Sequence, residues 1–255
     1  MAGERAQAAR PPGRHNLRSR KLAAELVRGA GIVAGDLAVD VGAGTGAITR
    51  ELDRAGARVL ALELDHQLAG DLRRSFAGSA RVRVVEGDAL RHAWPDEPFA
   101  VVANVPFART TELLRALLDP RVSLRRAELV VGWELACKRT SVWPSTLLGV
   151  YWGAWHELSL VRRIAPAAFA PPPSVAAAVL RAARRGEPLV ARAERAAYLA
   201  LLRESFESRA PLRRVLPARA FLRFAEERGL DRGARAWDLD AAQWAALHAA
   251  VRASG

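Results

Sequence analysis

The first half of the chain alternates between short apolar runs and segments whose apolar residues recur every three or four positions. The apolar runs predict strands at 37–41, 58–63, 82–85, 99–103 and 127–131. The amphipathic segments predict helices at 19–29, 47–55, 66–76 and 110–118. Buried strands that alternate with helices at this spacing predict a parallel sheet covered on both faces.

The pattern changes after Trp143. Residues 147–164 and 174–182 predict two long strands on either side of Pro171-Pro172-Pro173, which would form an antiparallel hairpin at the sheet edge. Helical patterns follow at 193–207, 218–228 and 241–251. The predicted fold is therefore a Rossmann-like α/β sheet with an antiparallel edge hairpin, followed by a small C-terminal helical domain.

This pattern suggests three parts of the chain. We expect a loose N-terminal segment over 1–16, a nucleotide-binding α/β domain over 17–183 and a helical domain over 184–255. The tryptophans on or beside apolar strands are expected to lie in the core rather than to stack on a ligand. They are Trp133, Trp143, Trp152 and Trp155.

The charge of the chain points to a polyanionic partner. The net charge is +12, and Lys21 and Lys138 are the only lysines, so arginine supplies almost all the positive charge. A genomic bias explains the ratio of arginine to lysine, but it does not explain the excess over acidic residues. Arginine contacts phosphate through a planar fork and stacks on bases, which favours a nucleic acid as the partner.

Other features exclude whole classes of protein. Cys137 is the single cysteine, and the five histidines have no ligand spacing, so neither a disulfide framework nor a metal site is expected. No uncharged stretch approaches the roughly 20 residues of a membrane span, and no apolar segment follows the N-terminal arginines. We expect a cytoplasmic protein.

A glycine-rich turn follows the first predicted strand. It reads Asp40-Val41-Gly42-Ala43-Gly44-Thr45-Gly46, and Gly42 and Gly44 let the backbone approach a ligand at the strand's carboxyl end. Glu63 ends the next strand, where a carboxylate can accept both hydroxyls of a ribose. These features suit either NAD or S-adenosylmethionine (AdoMet).

Asp88 favours AdoMet over NAD. It lies in Gly87-Asp88-Ala89, just after the third strand, where its carboxylate can bind the adenine amine of AdoMet. The alternative is a turn or helix-capping aspartate. The glycine turn, Glu63 and Asp88 follow successive strands, and ligands of open α/β sheets bind at those ends.

The reaction is indicated by Asn104-Val105-Pro106-Phe107, which follows the fourth strand. The lone pair of an aromatic amine is delocalised into its ring. Two acceptors, the Asn104 side-chain carbonyl and the main-chain carbonyl of Val105 or Pro106, can draw its N–H bonds out of the plane. Phe107 can stack on the base, and proline restricts the turn. This tetrad predicts methyl transfer to the amino nitrogen of a nucleobase.

The order of these motifs resembles the ribosomal RNA adenine N6-methyltransferases, and within them the erythromycin-resistance (Erm) type. Phe169-Ala170-Pro171-Pro172-Pro173-Ser174-Val175 and the segment 206–212 are also similar to blocks of that family, and the likeness covers roughly residues 14 to 216. The resemblance implies an AdoMet-dependent methyltransferase sheet and a helical RNA-binding domain. It implies 23S rRNA as the partner, AdoMet as the cofactor, no metal, and a monomer.

The resemblance also assigns site residues. The catalytic residues would be Asn104, Pro106 and Phe107. The cofactor-binding residues would be His15, Leu17, Gly42, Gly44, Glu63, Asp88, Ala89 and Asn104. The candidate phosphate contacts are Arg109, Arg139, Arg209, Arg213 and Arg214.

The chain departs from the family pattern at four places, one of which is Phe107, where tyrosine is also common. The N-terminal Gln-Asn-Phe-Leu of the family is here Arg14-His15-Asn16-Leu17, so that His15 replaces an asparagine that contacts AdoMet. Gly132 stands where relatives often have glutamine. Pro211 should end or bend the helix before it.

Four alternatives remain open. The first is the housekeeping dimethyltransferase of small-subunit rRNA. A DNA adenine methyltransferase would need a target-recognition domain that the pattern does not predict. An NAD-dependent oxidoreductase would leave the Asn104–Phe107 tetrad unexplained, and a catalytically silent RNA-binding protein would keep only the fold.

Overall fold

The structure, a computed structural model, describes residues 15–253, so most of the predicted loose segment 1–16 lies outside the described residues. Its strands are β1 Asn16–Leu17, β2 Leu37–Val41, β3 Arg58–Glu63, β4 Val82–Glu86, β5 Phe99–Asn104, β6 Leu124–Gly132, β7 His156–Ile164, β8 Phe169–Ala170 and β9 Ala177–Arg184. Its helices are α1 Arg20–Gly29, α2 Ala47–Arg54, α3 His66–Ser75, α4 Thr110–Leu117, α5 Trp133–Thr140, α6 Leu147–Gly153, α7 Arg195–Ser208, α8 Ala218–Arg228 and α9 Ala241–Arg252. Within this range no helix is both long enough and apolar enough to cross a membrane.

The described residues build one mixed sheet of seven strands, in the order β4-β3-β2-β5-β6-β9-β7. Strands β2 to β6 are parallel, while β9 runs antiparallel to both β6 and β7. The predicted Rossmann-like sheet with an antiparallel edge hairpin is thereby confirmed. Because β2 lies between β3 and β5, the carboxyl ends of these three strands border one crevice.

Helices cover both faces of the sheet, as its continuously apolar strands require. On one face, Leu22 of α1 and Leu52 of α2 pack in a cluster that includes Val102 of β5. On the other face, Leu114 of α4 packs in a cluster that includes Val101. Neighbouring residues of β5 therefore belong to opposite cores, and the strand is held on both sides just before it reaches Asn104.

The C-terminal helices form a third apolar cluster. Tyr198 of α7, Phe221 of α8 and Trp244 of α9 are fully or almost fully buried in it. The three predicted helices are present, and α8 has the predicted bounds. Helix α7 ends at Ser208, and Arg209 adopts a left-handed conformation with φ 53°, so the helix ends before Pro211 as expected.

The prediction of one long strand over 147–164 is wrong in its first half. Residues Leu147–Gly153 form α6, and strand β7 begins only at His156. Thr146 caps the helix by accepting a hydrogen bond from the Gly149 amide at 3.2 Å. Because α6 packs between the sheet and the C-terminal helices, it is apolar on most sides. An all-apolar helix cannot be told from a buried strand by periodicity.

The expectation for the tryptophans holds for only some of them. Trp152 and Trp155 are each 1% exposed, whereas Trp143 is 61% exposed; Trp133 is half-buried. Helix α5, which was not predicted, carries the chain out of the sheet after β6. The loop that follows it places Trp143 at the surface.

The different environments of two tryptophans predict very different stabilities. We expect Trp152→Ala to lower the free energy of unfolding by about 3–5 kcal/mol, because it leaves a large cavity in the core. Trp143→Ala should cost about 1 kcal/mol or less, since it loses one exposed hydrogen bond. Chemical denaturation measures both. Equal losses would contradict the placement of these two side chains.

Candidate active site

The glycine turn after β2 contains three glycines with positive φ, namely Gly42 at 69°, Gly44 at 55° and Gly46 at 78°. A Cβ on Gly46 would lie 2.8 Å from a methyl of Leu72, whereas a Cβ on Gly42 would meet nothing within 4 Å. Gly46 therefore permits close packing between α2 and α3. Gly42 borders open space, as a ligand-binding glycine should.

That open space is a cavity of about 330 Å³ at the carboxyl ends of β2, β3 and β5. It brings together most of the residues that the sequence singled out. These are His15, Gly42, Gly44, Glu63, Asp88, Ala89, Asn104, Pro106, Phe107 and Arg109. Since the tetrad and the glycine turn line one cavity, a methyl donor and a base can meet there.

Glu63 holds the glycine turn in place. Its Oε2 accepts a hydrogen bond from the Gly44 amide at 2.8 Å, and its Oε1 accepts one from the Asp65 amide at 2.9 Å. The side chain is 4% exposed, yet it borders the cavity. Each carboxylate oxygen can accept more than one hydrogen bond, so Glu63 can position the turn and bind ribose hydroxyls as well.

Asp40 is buried beneath the same turn. Thr49 Oγ1 donates to its Oδ2 at 2.6 Å, while its Oδ1 has no hydrogen-bond partner among residues 15–253. Burial raises the pKa of Asp40 to about 7; hydrogen bonds from Thr49 lower it, and the nearby Glu63 adds to the rise. Below pH 7 Asp40 is therefore largely protonated and adds little negative charge beside Glu63.

Asp88 is a turn aspartate that also borders the cavity. Its Oδ1 accepts a hydrogen bond from the Leu90 amide at 3.0 Å, as a turn aspartate does. Its Oδ2 lies 3.6 Å from the Arg109 guanidinium, and the residue borders the cavity. Arg109 also donates to Glu112 at 2.7 Å, so part of its charge is already paired.

The amide of Asn104 has a defined orientation. Its Nδ2 donates to the main-chain carbonyl of His15 at 2.6 Å, and because a carbonyl can only accept, the amide nitrogen must face His15. The Oδ1 atom therefore remains as an acceptor. Beside it, the Pro106 carbonyl already accepts from the Arg109 amide at 2.9 Å and from Thr110 Oγ1 at 3.4 Å. Val105 is thus the better second acceptor.

Phe107 forms a half-buried wall of the cavity. One part of the ring packs against the core on the α1 side of the sheet. Its centroid lies 6.1 Å from that of His15, at an angle of 36°. A Cβ on Gly132 would lie 3.9 Å from the ring, so the absence of a side chain there leaves Phe107 room.

The structure does not bring every predicted residue to the cavity. Leu17 is buried in the core beside α1. His15 does line the cavity, but its Nδ1 lies 2.9 Å from the Pro171 carbonyl. Arg139 is half-buried and packs on Trp152, with the guanidinium 5.8 Å from the ring. The exposed arginines of the C-terminal part also lie away from the cavity lining; they are Arg209, Arg213 and Arg214.

The sequence did not single out every residue that lines the cavity, and Asn16 and Leu64 are two of those it missed. Asn16 borders the cavity, and its Oδ1 would be 3.4 Å from a Cβ on Gly44. It occupies the position after His15, so a one-residue shift of the N-terminal tetrad would have found it. Leu64 is 62% exposed directly after Glu63, which suits an apolar contact with a base. Leu64 could have been found from the sequence, because it directly follows the carboxylate that ends β3.

The raised pKa of Asp40 predicts a pH-dependent stability. Between the unfolded value of 3.8 and the folded value of about 7, the folded state binds more protons, so stability falls as pH rises. Asp40→Asn keeps a carbonyl for Thr49 and removes the titration. Wild type should therefore lose about 2–3 kcal/mol of stability between pH 5 and pH 8 that the variant does not lose. The free energy of unfolding of the variant minus that of wild type should rise by this amount.

Chemical denaturation of both proteins at the two pH values measures this difference. Asp71→Asn is the control, because the Asp71 side chain is 62% exposed. If the difference between Asp40→Asn and wild type were the same at both pH values, the raised pKa would be wrong.

Comparison with known proteins places the chain in a family. Residues 7–251 match the family model described as ribosomal RNA adenine dimethylase. The chain is 39% identical over 222 residues to the mycinamicin-resistance protein MyrB of Micromonospora griseorubida, an alignment that covers 85% of this chain and 70% of MyrB. It is 36% identical over 242 residues to an rRNA methyltransferase of Streptomyces thermotolerans, which covers 92% of this chain and 80% of that protein.

The crystal structure of the 23S rRNA methyltransferase ErmE is similar over most of its length. The two have a TM-score of 0.82 and 29% sequence identity, and the match covers 92% of this chain and 99% of ErmE. The likeness includes the C-terminal helices as well as the sheet. The chain therefore belongs to the ribosomal RNA adenine dimethylase family.

Proposed function

We propose that this protein transfers a methyl group from AdoMet to N6 of one adenine in 23S rRNA and so confers resistance to macrolides, lincosamides and streptogramin B. The observation that carries the proposal is the oriented Asn104 carbonyl, which lines the same cavity as the glycine turn. The similarity to MyrB and to ErmE supports the resistance branch of the family. A ribosomal substrate makes the cytoplasm the expected site of action.

The cavity residues fit AdoMet. Gly42 leaves space next to the turn, Glu63 offers carboxylate oxygens to ribose hydroxyls, and Asp88 offers one to the adenine amine. Leu64 supplies an exposed apolar contact for the adenine ring. Gly44, Ala89, His15 and Asn16 complete this side of the cavity. When bound, AdoMet supplies an electrophilic methyl group on a positively charged sulfur.

The tetrad prepares the target amine. Asn104 Oδ1 and the Val105 carbonyl each accept a hydrogen bond from one N–H group of the amine. These bonds draw the hydrogens out of the ring plane and free the nitrogen lone pair. Because the Asn104 amide and the Val105 backbone are held by the His15 and Val130 carbonyls, these acceptors need little reorganisation. After transfer, the methylated amine loses one proton to solvent, so a strong base is not needed.

Phe107 and Pro106 position the base. Pro106 has φ −55° and precedes the short turn that carries Phe107, so the ring is attached to a restricted backbone. An adenine extruded from single-stranded or looped RNA can stack on this ring. The part of the Phe107 ring that faces the cavity thus selects a flat substrate, while the two carbonyls select its amine.

We assign the two parts of the chain different roles. Residues 17–183 would bind AdoMet and carry the chemistry, and residues 184–255 would bind RNA. The protein would act as a monomer. Exposed arginines support the second role, because Arg209, Arg213 and Arg214 lie in one segment between α7 and α8. Arg109, at the cavity, is the candidate for a phosphate next to the target. A protein that neutralises several phosphates should bind RNA with a steep salt dependence.

The tetrad can be tested by substitution of Asn104. Asn104→Ala should reduce tritium transfer from labelled AdoMet to protein-free 23S rRNA by roughly 100-fold or more, because it removes one oriented acceptor. Asn104→Asp keeps an acceptor but cannot donate to the His15 carbonyl, so we expect a comparable loss. Full activity of folded Asn104→Ala would disprove the role of the tetrad.

The role of Phe107 can be separated from that of Asn104. Phe107→Ala should lower kcat/KM for the RNA. The loss should correspond to about 1–3 kcal/mol, the usual contribution of a base stacked on an aromatic ring. Phe107→Tyr keeps the ring and should retain most activity. An equal loss in both variants would show that Phe107 does not act by stacking.

The identity of the substrate needs a cellular experiment. Primer extension across rRNA from cells that express this chain should stop at one adenine of 23S rRNA. A stop only in 16S rRNA would favour the small-subunit dimethyltransferase. Thermal stabilisation by NADH but not by S-adenosylhomocysteine would favour an oxidoreductase, and RNA binding without methyl transfer would indicate a silent binder.

A further inference from the structure

The loop between α5 and α6 is fastened to the C-terminal helices. Trp143 Nε1 donates to the Asp238 carbonyl at 3.1 Å, and the Ser145 amide donates to the Trp237 carbonyl at 2.9 Å. Ser141 Oγ also donates to the Trp143 carbonyl at 3.0 Å within the loop. The loop is thus held from both sides, and the tryptophan is restrained rather than mobile.

This restrained tryptophan is exposed to solvent. The Trp143 side chain is 61% exposed and the adjacent Val142 is 49% exposed. Two exposed cationic residues belong to the segments that the loop joins: Lys138 lies in α5 just before the loop, and Arg235 precedes Trp237 and Asp238. Proteins use restrained, exposed aromatic rings to stack unpaired bases.

A cavity of about 270 Å³ lies directly under the loop. Ser141, Val142 and Ser145 of the loop line it, together with Arg139 of α5, His156 and Arg185. Arg185 is already paired, because it donates to Glu157 at 3.1 Å and to the Gly153 carbonyl at 2.9 Å. Arg139 is therefore the guanidinium of this lining that is left to bind a phosphate.

Two buried groups of this cavity lack partners. His156 is completely buried, and neither of its ring nitrogens makes a hydrogen bond of normal geometry to a described residue. Burial lowers the pKa of His156 to about 4 and the nearby Arg184 adds to the fall, although the Trp152 main chain opposes it, so the ring is neutral. Within the same described range, Arg139 Nε is buried and also lacks a partner. Buried donors normally find an acceptor, so both point to a polar ligand in this space.

Helix α5 connects this region to the target cavity. It starts at Trp133, next to Gly132, which borders the Phe107 ring. Its eight residues span about 12 Å, and they end at Thr140, just before the loop. The exposed tryptophan is therefore about one short helix away from the place where the target base stacks.

We propose that the loop 141–146 and the cavity under it form a second RNA subsite, which binds one unpaired nucleotide near the target adenine. The base stacks on Trp143, and the adjoining phosphate accepts hydrogen bonds from Arg139 in the cavity. The occupant is RNA rather than a protein, because the exposed indole suits a base and the buried, unpartnered Arg139 donor suits a phosphate. This inference rests on the proposed function, since it takes RNA as the substrate.

The stacking half of the subsite is tested by RNA affinity, measured by fluorescence anisotropy with a labelled hairpin that carries the 23S target adenine. Trp143→Ala should raise the Kd roughly 5- to 150-fold, the range for loss of one stacked base. Trp143→Phe keeps a ring but loses the Asp238 hydrogen bond, and it should stay within about 5-fold of wild type. Val33→Ala, an exposed apolar residue between α1 and β2, should leave the Kd unchanged.

The phosphate half is tested by salt dependence. Arg139→Gln should reduce the slope of log K against log salt concentration by about one, the value for one lost phosphate contact. Arg139→Lys keeps the charge and should keep the slope, and Trp143→Ala should keep it as well. A general loss of folding would not produce this division between affinity and slope.

Two results would overturn the subsite. An unchanged Kd for Trp143→Ala would exclude stacking, and equal weakening by Trp143→Ala and Trp143→Phe would show that the loop only fastens the two parts together. The proposed function fails separately: if wild type binds the hairpin in a Trp143-dependent way but transfers no methyl group to it, the subsite stands and the assigned reaction does not.

Discussion

The site depends on one hydrogen bond between segments that are far apart in sequence. Asn104 donates to the carbonyl of His15 across a separation of 89 residues. Without that acceptor the amide could rotate and present its NH2 group to a substrate amine, which would repel a donor. The segment that leads into β1 therefore orients the side chain that we propose to accept the target amine.

The position of β1 depends in turn on the edge of the fold. Strand β1 pairs antiparallel with β8, with Asn16 opposite Ala170 and Leu17 opposite Phe169. Leu17 and Phe169 are both buried, which anchors the pair in the core beside α1. The pairing of β1 with β8 thus fixes the position of the His15 carbonyl relative to Asn104.

Much of this arrangement follows from local sequence patterns. Strands β2, β3 and β5 were predicted because each is a short apolar run that ends at a glycine or polar residue, and the carboxyl ends of parallel strands must meet. Helix α6 was mistaken for a strand because it is buried between two cores and has no polar face that would reveal a helical period. Trp143 was placed in the core because an apolar residue in a loop carries no periodicity at all.

The His15–Asn104 contact could not be predicted for a different reason. Its acceptor is a main-chain carbonyl, which every residue possesses, so the identity of His15 carries no information about it. Side-chain chemistry identified Asn104, and only the pairing of β1 with β8 identifies its partner. The same holds for the loop 141–146, whose attachment uses the carbonyls of Trp237 and Asp238.

The loop 141–146 is connected to the active site through α5. Gly132 borders the Phe107 ring, and α5 begins at the next residue. The loop after α5 is hydrogen-bonded to the carbonyls of Trp237 and Asp238, and α5 itself is short and packs against β6, β7 and α6. In the proposed function, RNA bound by the C-terminal part and the adenine on Phe107 therefore contact segments that one short helix joins.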